Sequence, residues 1–346
     1  MGQGFYTVNG ANGNVVSNSD TTLLFHDDIY IATGTTVVTI PGAAGRTARV
    51  VQSGVSNMNT TATVSQANAG ANLAVTITVQ RNGYFFIILE GAPTGNYGIQ
   101  LANDSGIATI SSEVFGYAFV GNAVYQGVAQ ADSYSQIGSP AFGFVVGVSD
   151  KFYQYIVTSP VAPLCFIQAI GNTSYFRVCS VRNLNASQWE IIVGGNNWTT
   201  APIIKCFSKL QGPGGGGYGM RLFNSAGQRT WDTTAQMLSV STVFDWAAVA
   251  ANNTSLGIVQ SVTHSISNPY VMSLVAPTVT GMSSTTQAGI HSYRNNEYIS
   301  GFALDGTTLR RTSRAIKSDA YDDDFGYNNN FLLDDRTYLI NGNFYT

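Results

Sequence analysis

The clearest periodicity in the chain is a strict alternation of apolar and small or polar positions at residues 73–79, LAVTITV. Leu73, Val75, Ile77 and Val79 fall on one face of an extended segment, and Ala74, Thr76 and Thr78 on the other. Asn82-Gly83 comes shortly after, a dipeptide suited to the positive-φ positions of a tight turn, and YFFIIL follows it. A β-hairpin is therefore expected over 73–90. Short apolar runs recur along the chain. TTVVTI at 35–40 stops at the turn signal Pro41-Gly42. Further strands are expected at 114–120, 142–148, 152–157, 164–170, 175–181, 189–193, 203–207, 220–223, 237–243, 257–262 and 270–275. The one helix-like stretch, 243–249, is short and β-branched at its ends. Connections are short and rich in Gly, Asn, Ser and Pro. This pattern predicts an all-β chain of tandem small β-sandwich or barrel-like modules with little helix.

A local pattern occurs twice. Residues 97–106 read YGIQLANDSG and residues 218–227 read YGMRLFNSAG, 121 residues apart. Each has Tyr-Gly, an apolar–polar–apolar triplet, and then a turn running from Asn to Gly. Asn can cap its own turn through its side chain, and Gly can take positive φ. The repeated hairpin is thus carried by Tyr97, Gly98, Leu101, Asn103 and Gly106, and again by Tyr218, Gly219, Leu222, Asn224 and Gly227. A degraded third copy is read at residues 4–13, GFYTVNGANG, with Val8 in the place of Leu101 and Gly13 in the turn. A second correspondence links apolar strands led by Gly or Pro: GYFFIIL after Asn82, LCFIQAI after Pro163, and YVMSLVAP from Pro269. Three units follow, at 4–95, 96–213 and 217–346, with GPGGGG at 212–217 as a joint. Residues 318–346 stand apart, with clustered acids and recurring aromatics, and read either as a terminal loop and a final pair of strands or as a segment that orders only against a neighbouring subunit.

Charged residues make up only 10% of the chain, against about 25% in an average globular protein. Solubility must rest on Asn, Gln, Ser, Thr and Gly, which suits an assembled or extracellular particle. The net charge of −3 argues against a nucleic-acid binder. Arg310, Arg311, Arg314 and Lys317 are met at once by Asp319, Asp322, Asp323 and Asp324. No apolar run approaches membrane-spanning length, so no membrane insertion is expected. The N-terminal residues lack the charge and apolar core of a secretory signal, and MGQGFY lacks the Ser or Thr of a myristoylation site. Cys165, Cys179 and Cys206 are odd in number and widely spaced, which reads as core thiols; one pair could oxidise if the fold brings it together.

The hairpin YG-apolar-x-L-x-N-x-x-G resembles a module of tail proteins of tailed bacteriophages, in which such a sequence opens a small β domain. Asp232 and Thr233 match the Asp-Ser/Thr that closes its second strand, whereas Ser111 and Ser112 stand there in the earlier copy. The match covers about 35 residues over both copies. It implies a non-enzymatic virion component at the tail tip or in a fibre, made in the host cytoplasm and acting in assembly and host attachment. It also implies other tail proteins as partners, a host surface receptor, and a homo-oligomer, either a trimer or a ring. Two other readings stand beside it: a distal module binding a surface glycan or protein, and a glycan-hydrolysing β protein.

The residues themselves offer little chemistry. His26, His264 and His291 are far apart and lack metal-ligand spacing, although His26 precedes Asp27 and Asp28. There is no nucleophile elbow and no phosphate loop. A glycosidase would need two carboxylates across a groove, and Asp27, Asp28, Glu90, Asp150, Glu190, Asp245 and Asp305 include no pair that the local sequence sets apart. Asp319 and Asp322–Asp324 could offer oxygens to calcium but do not follow an EF-hand loop. No catalytic residue, metal site or cofactor is expected. Interface candidates are aromatic: Tyr293, Tyr298, Tyr321 and Tyr327 towards a subunit or host surface, and Trp189, Trp198, Trp231 and Trp246, for which core packing is the simpler reading.

Overall fold

A computed structural model describes residues 6–8, 15–17, 24–52, 62–79, 83–90, 100–102, 108–111, 116–128, 150–168, 176–196, 200–210, 219–224, 227–249, 252–254, 257–272, 278–287, 290–321 and 336–346. The chain is mostly β-strand with almost no helix, arranged in antiparallel sheets. The strands β1 (Tyr6–Val8) and β2 (Val15–Ser17) form a two-stranded ribbon. Six strands follow: β3 (Leu24–Ile31), β4 (Gly34–Ile40), β5 (Thr47–Gln52), β6 (Ala62–Ala69), β7 (Asn72–Val79) and β8 (Gly83–Glu90). They form two three-stranded sheets, β3-β8-β5 and β4-β7-β6. Ile31, Ile40, Val50, Leu73, Val75, Ile77, Phe85 and Ile87 fill the core that both sheets share.

A second ribbon, β9 (Gln100–Ala102) with β10 (Ala108–Ser111), leads into β11 (Tyr117–Asn122), β12 (Val124–Val128), β13 (Asp150–Thr158), β14 (Leu164–Gln168), β15 (Phe176–Asn185), β16 (Gln188–Asn196) and β17 (Ile203–Lys209). A third ribbon, β18 (Arg221–Phe223) with β19 (Arg229–Asp232), leads into β20 (Thr242–Asp245), β21 (Asn252–Thr254), β22 (Gly257–Thr263), β23 (Pro269–Met272), β24 (Thr278–Gln287), β25 (Ile290–Asp305), β26 (Thr308–Tyr321) and β27 (Arg336–Asn341). These strands build two large sheets. One has six strands in the order β11-β17-β14-β23-β27-β20. The other has nine, in the order β12-β13-β16-β15-β25-β26-β22-β21, with β24 also paired to β25. Both contribute to one core through Phe166, Ile167, Ile204 and Leu339 from the first sheet and Tyr155, Trp189, Ile191, Phe302 and Leu309 from the second.

The pairing pattern repeats. With β12, β21 and β24 set aside, each stretch has six strands, of which the first, sixth and third form one sheet, and the second, fifth and fourth the other. This holds for β3-β8-β5 with β4-β7-β6, for β11-β17-β14 with β13-β16-β15, and for β20-β27-β23 with β22-β26-β25. In the last two stretches even the registers agree. Leu164 opposes Phe207 as Tyr270 opposes Ile340, and Gly121 opposes Cys206 as Thr242 opposes Leu339. A main-chain bond recurs in all three: Ala44 N–H donates to the Ala71 carbonyl, Ser159 to Ser187, and His264 to Thr307. Each acceptor is the second residue of the two-residue turn between the fourth and fifth strands.

Each large sheet is joined at its middle. β14 pairs with β23 (Phe166 with Met272, Ile167 with Val271), and β15 pairs with β25 at Phe176 and Phe302. The strands of 96–213 and 217–346 therefore share both large sheets. The division expected at 212–217 separates copies of a pattern and not sheets. The matching side of the first stretch is closed by side-chain amides instead. Asn72 Oδ1 accepts from Gly42 N–H (3.3 Å), Asn68 Oδ1 from Gly45 N–H (3.0 Å), and Gln66 Oε1 from Ala48 N–H (2.8 Å).

Three expectations need correction. The segments at 73–79 and 83–90 are strands, but they are not a hairpin, because β7 and β8 belong to different sheets. The chain crosses between layers after β7, since β8 is buried on both faces: Phe85, Ile87 and Leu89 enter one core, Phe86 and Ile88 the other. Phe86 meets Tyr117 edge-on at 6.1 Å. The correspondence among the Gly- or Pro-led strands holds for β14 and β23, while β8 occupies the place of β17 and β27. Around 237–243 only Thr242 onward is strand, and the helix-like stretch is that strand followed by a 3-10 turn, Trp246–Ala248. The expected strand at 142–148 lies outside the described residues.

Candidate functional site

The repeated hairpins are the second and third ribbons, and their backbones agree residue for residue. Gln100 opposes Ser111, Leu101 opposes Ile110, and Ala102 opposes Ala108. In the later copy Arg221 opposes Asp232, Leu222 opposes Trp231, and Phe223 opposes Arg229. Both carry a register shift at the same point. Tyr97, Gly98, Asn103, Gly106 and Tyr218 lie outside the described residues.

In the later copy each described motif residue has a physical task. Asn224 closes the turn: its main-chain N–H donates to Gln228 O, and its Oδ1 accepts from Gln228 N–H, both at 2.9 Å. Gly227 holds φ at +74°, where a side chain is strained. Leu222 is buried with Trp231, Ala118, Leu210 and Met237. Gly219 lies so close to Thr233 and Thr234 that a Cβ there would come within 2.9 Å of Thr234 Cγ2 and nearer still to Thr233 Oγ1. Thr233 fastens this crossing, its N–H donating to Met220 O (3.0 Å) and its Oγ1 accepting from Met220 N–H (2.9 Å).

Beneath the hairpin lies Asp232, fully buried. Its Oδ2 meets Arg221 Nε at 3.0 Å and Arg229 Nη1 at 2.6 Å, and its Oδ1 accepts from Thr234 N–H and Oγ1, both at 2.7 Å. Burial alone would push its pKa up, but the Thr234 donors and the two guanidinium groups hold it below the usual carboxylate range. In the earlier copy, Ser111, Gln100 and Ala108 stand where Asp232, Arg221 and Arg229 stand here. The charged triad is absent there as a set.

The other acids with described side chains are also each met by an arginine. Glu190 meets Arg182 (2.8 Å) and accepts from Gln154 (2.6 Å), Asp305 meets Arg310 (3.3 Å), and Asp245 lies 3.8 Å from Arg336. No group of three or more His, Cys, Asp or Glu suited to a metal occurs among the described residues. The side chains of Asp27, Asp28, Glu90, Asp150 and Asp319 are not described, and Asp322–Asp324 lie outside the described residues. His264 is buried, and neither of its ring nitrogens has a hydrogen-bond partner. Burial lowers its pKa.

Trp189, Trp231 and Trp246 are core residues and not surface anchors; the Trp189 indole donates to Ser159 O and that of Trp246 to Thr337 Oγ1. Trp198 lies outside the described residues. Cys165 and Cys206 are buried free thiols directly opposite each other on β14 and β17, a juxtaposition their spacing did not reveal. The tyrosine candidates fall on a ribbon. β24, β25 and β26 continue past the joint with β15, and there Tyr293 opposes Tyr321 while Tyr298 opposes Ala315 on one side and Val279 on the other. Tyr327 lies outside the described residues.

No family model, no curated protein and no solved structure matches this chain.

Proposed function

We propose that this chain is a non-enzymatic structural component of a bacteriophage tail, at the tip or in a fibre, built of three tandem sandwich modules, each opened by a hairpin. The observation that carries the reading is the hairpin itself, which resembles the phage tail module in sequence and whose two clear copies share one register and one irregularity. The acids are consistent with a structural role: Glu190, Asp232, Asp245 and Asp305 each face an arginine rather than a second carboxylate. Low charge suits a chain that works inside an assembly. On this reading its partners are other tail proteins, and it is synthesised in the host cytoplasm. The resemblance also carries the implied trimer or ring.

The test is to image the intact particle with an antibody against this chain. Label at the tail tip or along a fibre is expected. Label on a capsid or collar, or a purified particle that lacks the chain, overturns the reading. A second reading, a distal module that binds a surface glycan or protein, is favoured by the cross-strand pair Tyr293–Tyr321 on the extended ribbon. It predicts that Tyr293→Ala with Tyr321→Ala abolishes adsorption to host cells while the particle still assembles.

A further inference from the structure

The two ends of the large sheets are equivalent in topology but opposite in chemistry. β11 and β12 form one end, at the edges of the six- and nine-stranded sheets, and β20 and β21 form the other. Along the first end Val120, Val124, Tyr125 and Val128 are 36%, 62%, 44% and 56% exposed, and no charged residue lies between Tyr117 and Val128. Val120 precedes Gly121 as Ser241 precedes Thr242, the residue in the matching register position at the other end. β21 there reads Asn-Asn-Thr, in the place of the Val-Tyr-Gln-Gly-Val of β12. The fold thus tolerates a polar edge at this position, so folding does not account for the aliphatic one. One bulge interrupts β11 at Val120 and another interrupts β12 at Gln126. The Val124 carbonyl accepts from the exposed Gln126 side chain, a partner that another strand can replace.

We propose that β12 is an interface with a second copy of this chain, formed by antiparallel pairing of β12 with β12 across a two-fold axis. The chain already joins its own sheets in this way, with equivalent strands meeting antiparallel at β14–β23 and β15–β25, and the new contact extends that same nine-stranded sheet. An uncharged edge meets its own copy without like-charge repulsion. The apolar side chains beside it lose exposed surface on pairing. The opposite end, with Ser241, Asp245 and the polar β21, does not match this edge, so assembly closes at two and does not run on into a filament. The contact is a dimer, distinct from the trimer or ring implied by the phage resemblance.

The experiment is sedimentation equilibrium on the full chain up to about 100 µM, where a micromolar interface is saturated. A dimer is expected. Val124→Lys with Val128→Lys should raise the dissociation constant at least tenfold, while Ser241→Lys at the other end leaves it unchanged. Both valines are exposed, so the thermal midpoint should hold. A nitroxide on Gln126→Cys supplies a second reading in the unmutated edge: pairing of β12 with β12 brings the labels within about 20 Å, the span of a few neighbouring strands and two spin labels. A monomer at 100 µM, a trimer or larger species, a dimer indifferent to the lysines, or labels far apart each overturns the proposal.

Discussion

At the scale of single residues, the hairpin motif divides into positions that the sequence explains by itself and positions that only the fold explains. Asn224 and Gly227 are legible because turn chemistry is local: the Asn closes its own turn, and the Gly takes the positive φ. Gly219 is not legible, because its reason lies across the chain in Thr233 and Thr234. Gly219→Ala should therefore destabilise the protein by about 1–3 kcal/mol, as an overpacked contact does, and more than Gly227→Ala, where backbone strain costs about 1 kcal/mol; chemical denaturation compares the two. Asp232→Asn leaves Arg221 and Arg229 short of their buried counter-charge and should cost about 3 kcal/mol. Because the folded pKa of Asp232 is depressed, its stabilisation is complete above the unfolded value near 3.9 and is lost as pH falls through the folded value. Acid unfolding of Asp232→Asn should therefore lack that step. His264 also has a depressed folded pKa, so its contribution is complete above about 6.5 and fades as pH falls through the folded value. Cys165 and Cys206 should resist alkylation in the native protein and react on denaturation, since both are buried and burial pushes the Cys206 thiol well up.

At the scale of elements, alternation and turn residues located strands well and paired them poorly. The alternation at 73–79 is the alternation of buried and half-buried positions in β7, yet the Asn82-Gly83 signal suggested a partner that β7 does not have. A local turn preference carries no information about which layer the next strand joins. That is settled by the two-sided burial of Phe85–Leu89, visible in the sequence only as an unbroken apolar run. The amide closures of the first stretch were equally hidden, since Gln66 and Asn68 read as ordinary surface residues. Gln66→Ala removes the partner of the Ala48 N–H and should cost about 1 kcal/mol. The effect should appear in hydrogen exchange, with faster exchange at Ala48 than at Val38 on the far side of the same core.

For the whole molecule, the shared sheets decide what can stand alone. A chain ending at residue 213 keeps β14 and β15 but loses β23 and β25, and so presents two unpaired strand edges from the middle of a core. It should aggregate on expression, whereas residues 100–346 should melt in one transition by calorimetry. Composition and patterning conveyed the class of fold because strands are written in short-range periodicity. They did not convey the joint, because Phe166, Ile167, Val271 and Met272 look like any other core strand residues. The recurring bond from Ala44 to Ala71, Ser159 to Ser187 and His264 to Thr307 explains why so little of the repetition survives in the letters. Donor and acceptor are main-chain atoms, which alanine, serine, threonine and histidine supply equally well. A latch of that kind places no demand on side-chain identity, so three stretches of unlike sequence can hold the same pairing of strands.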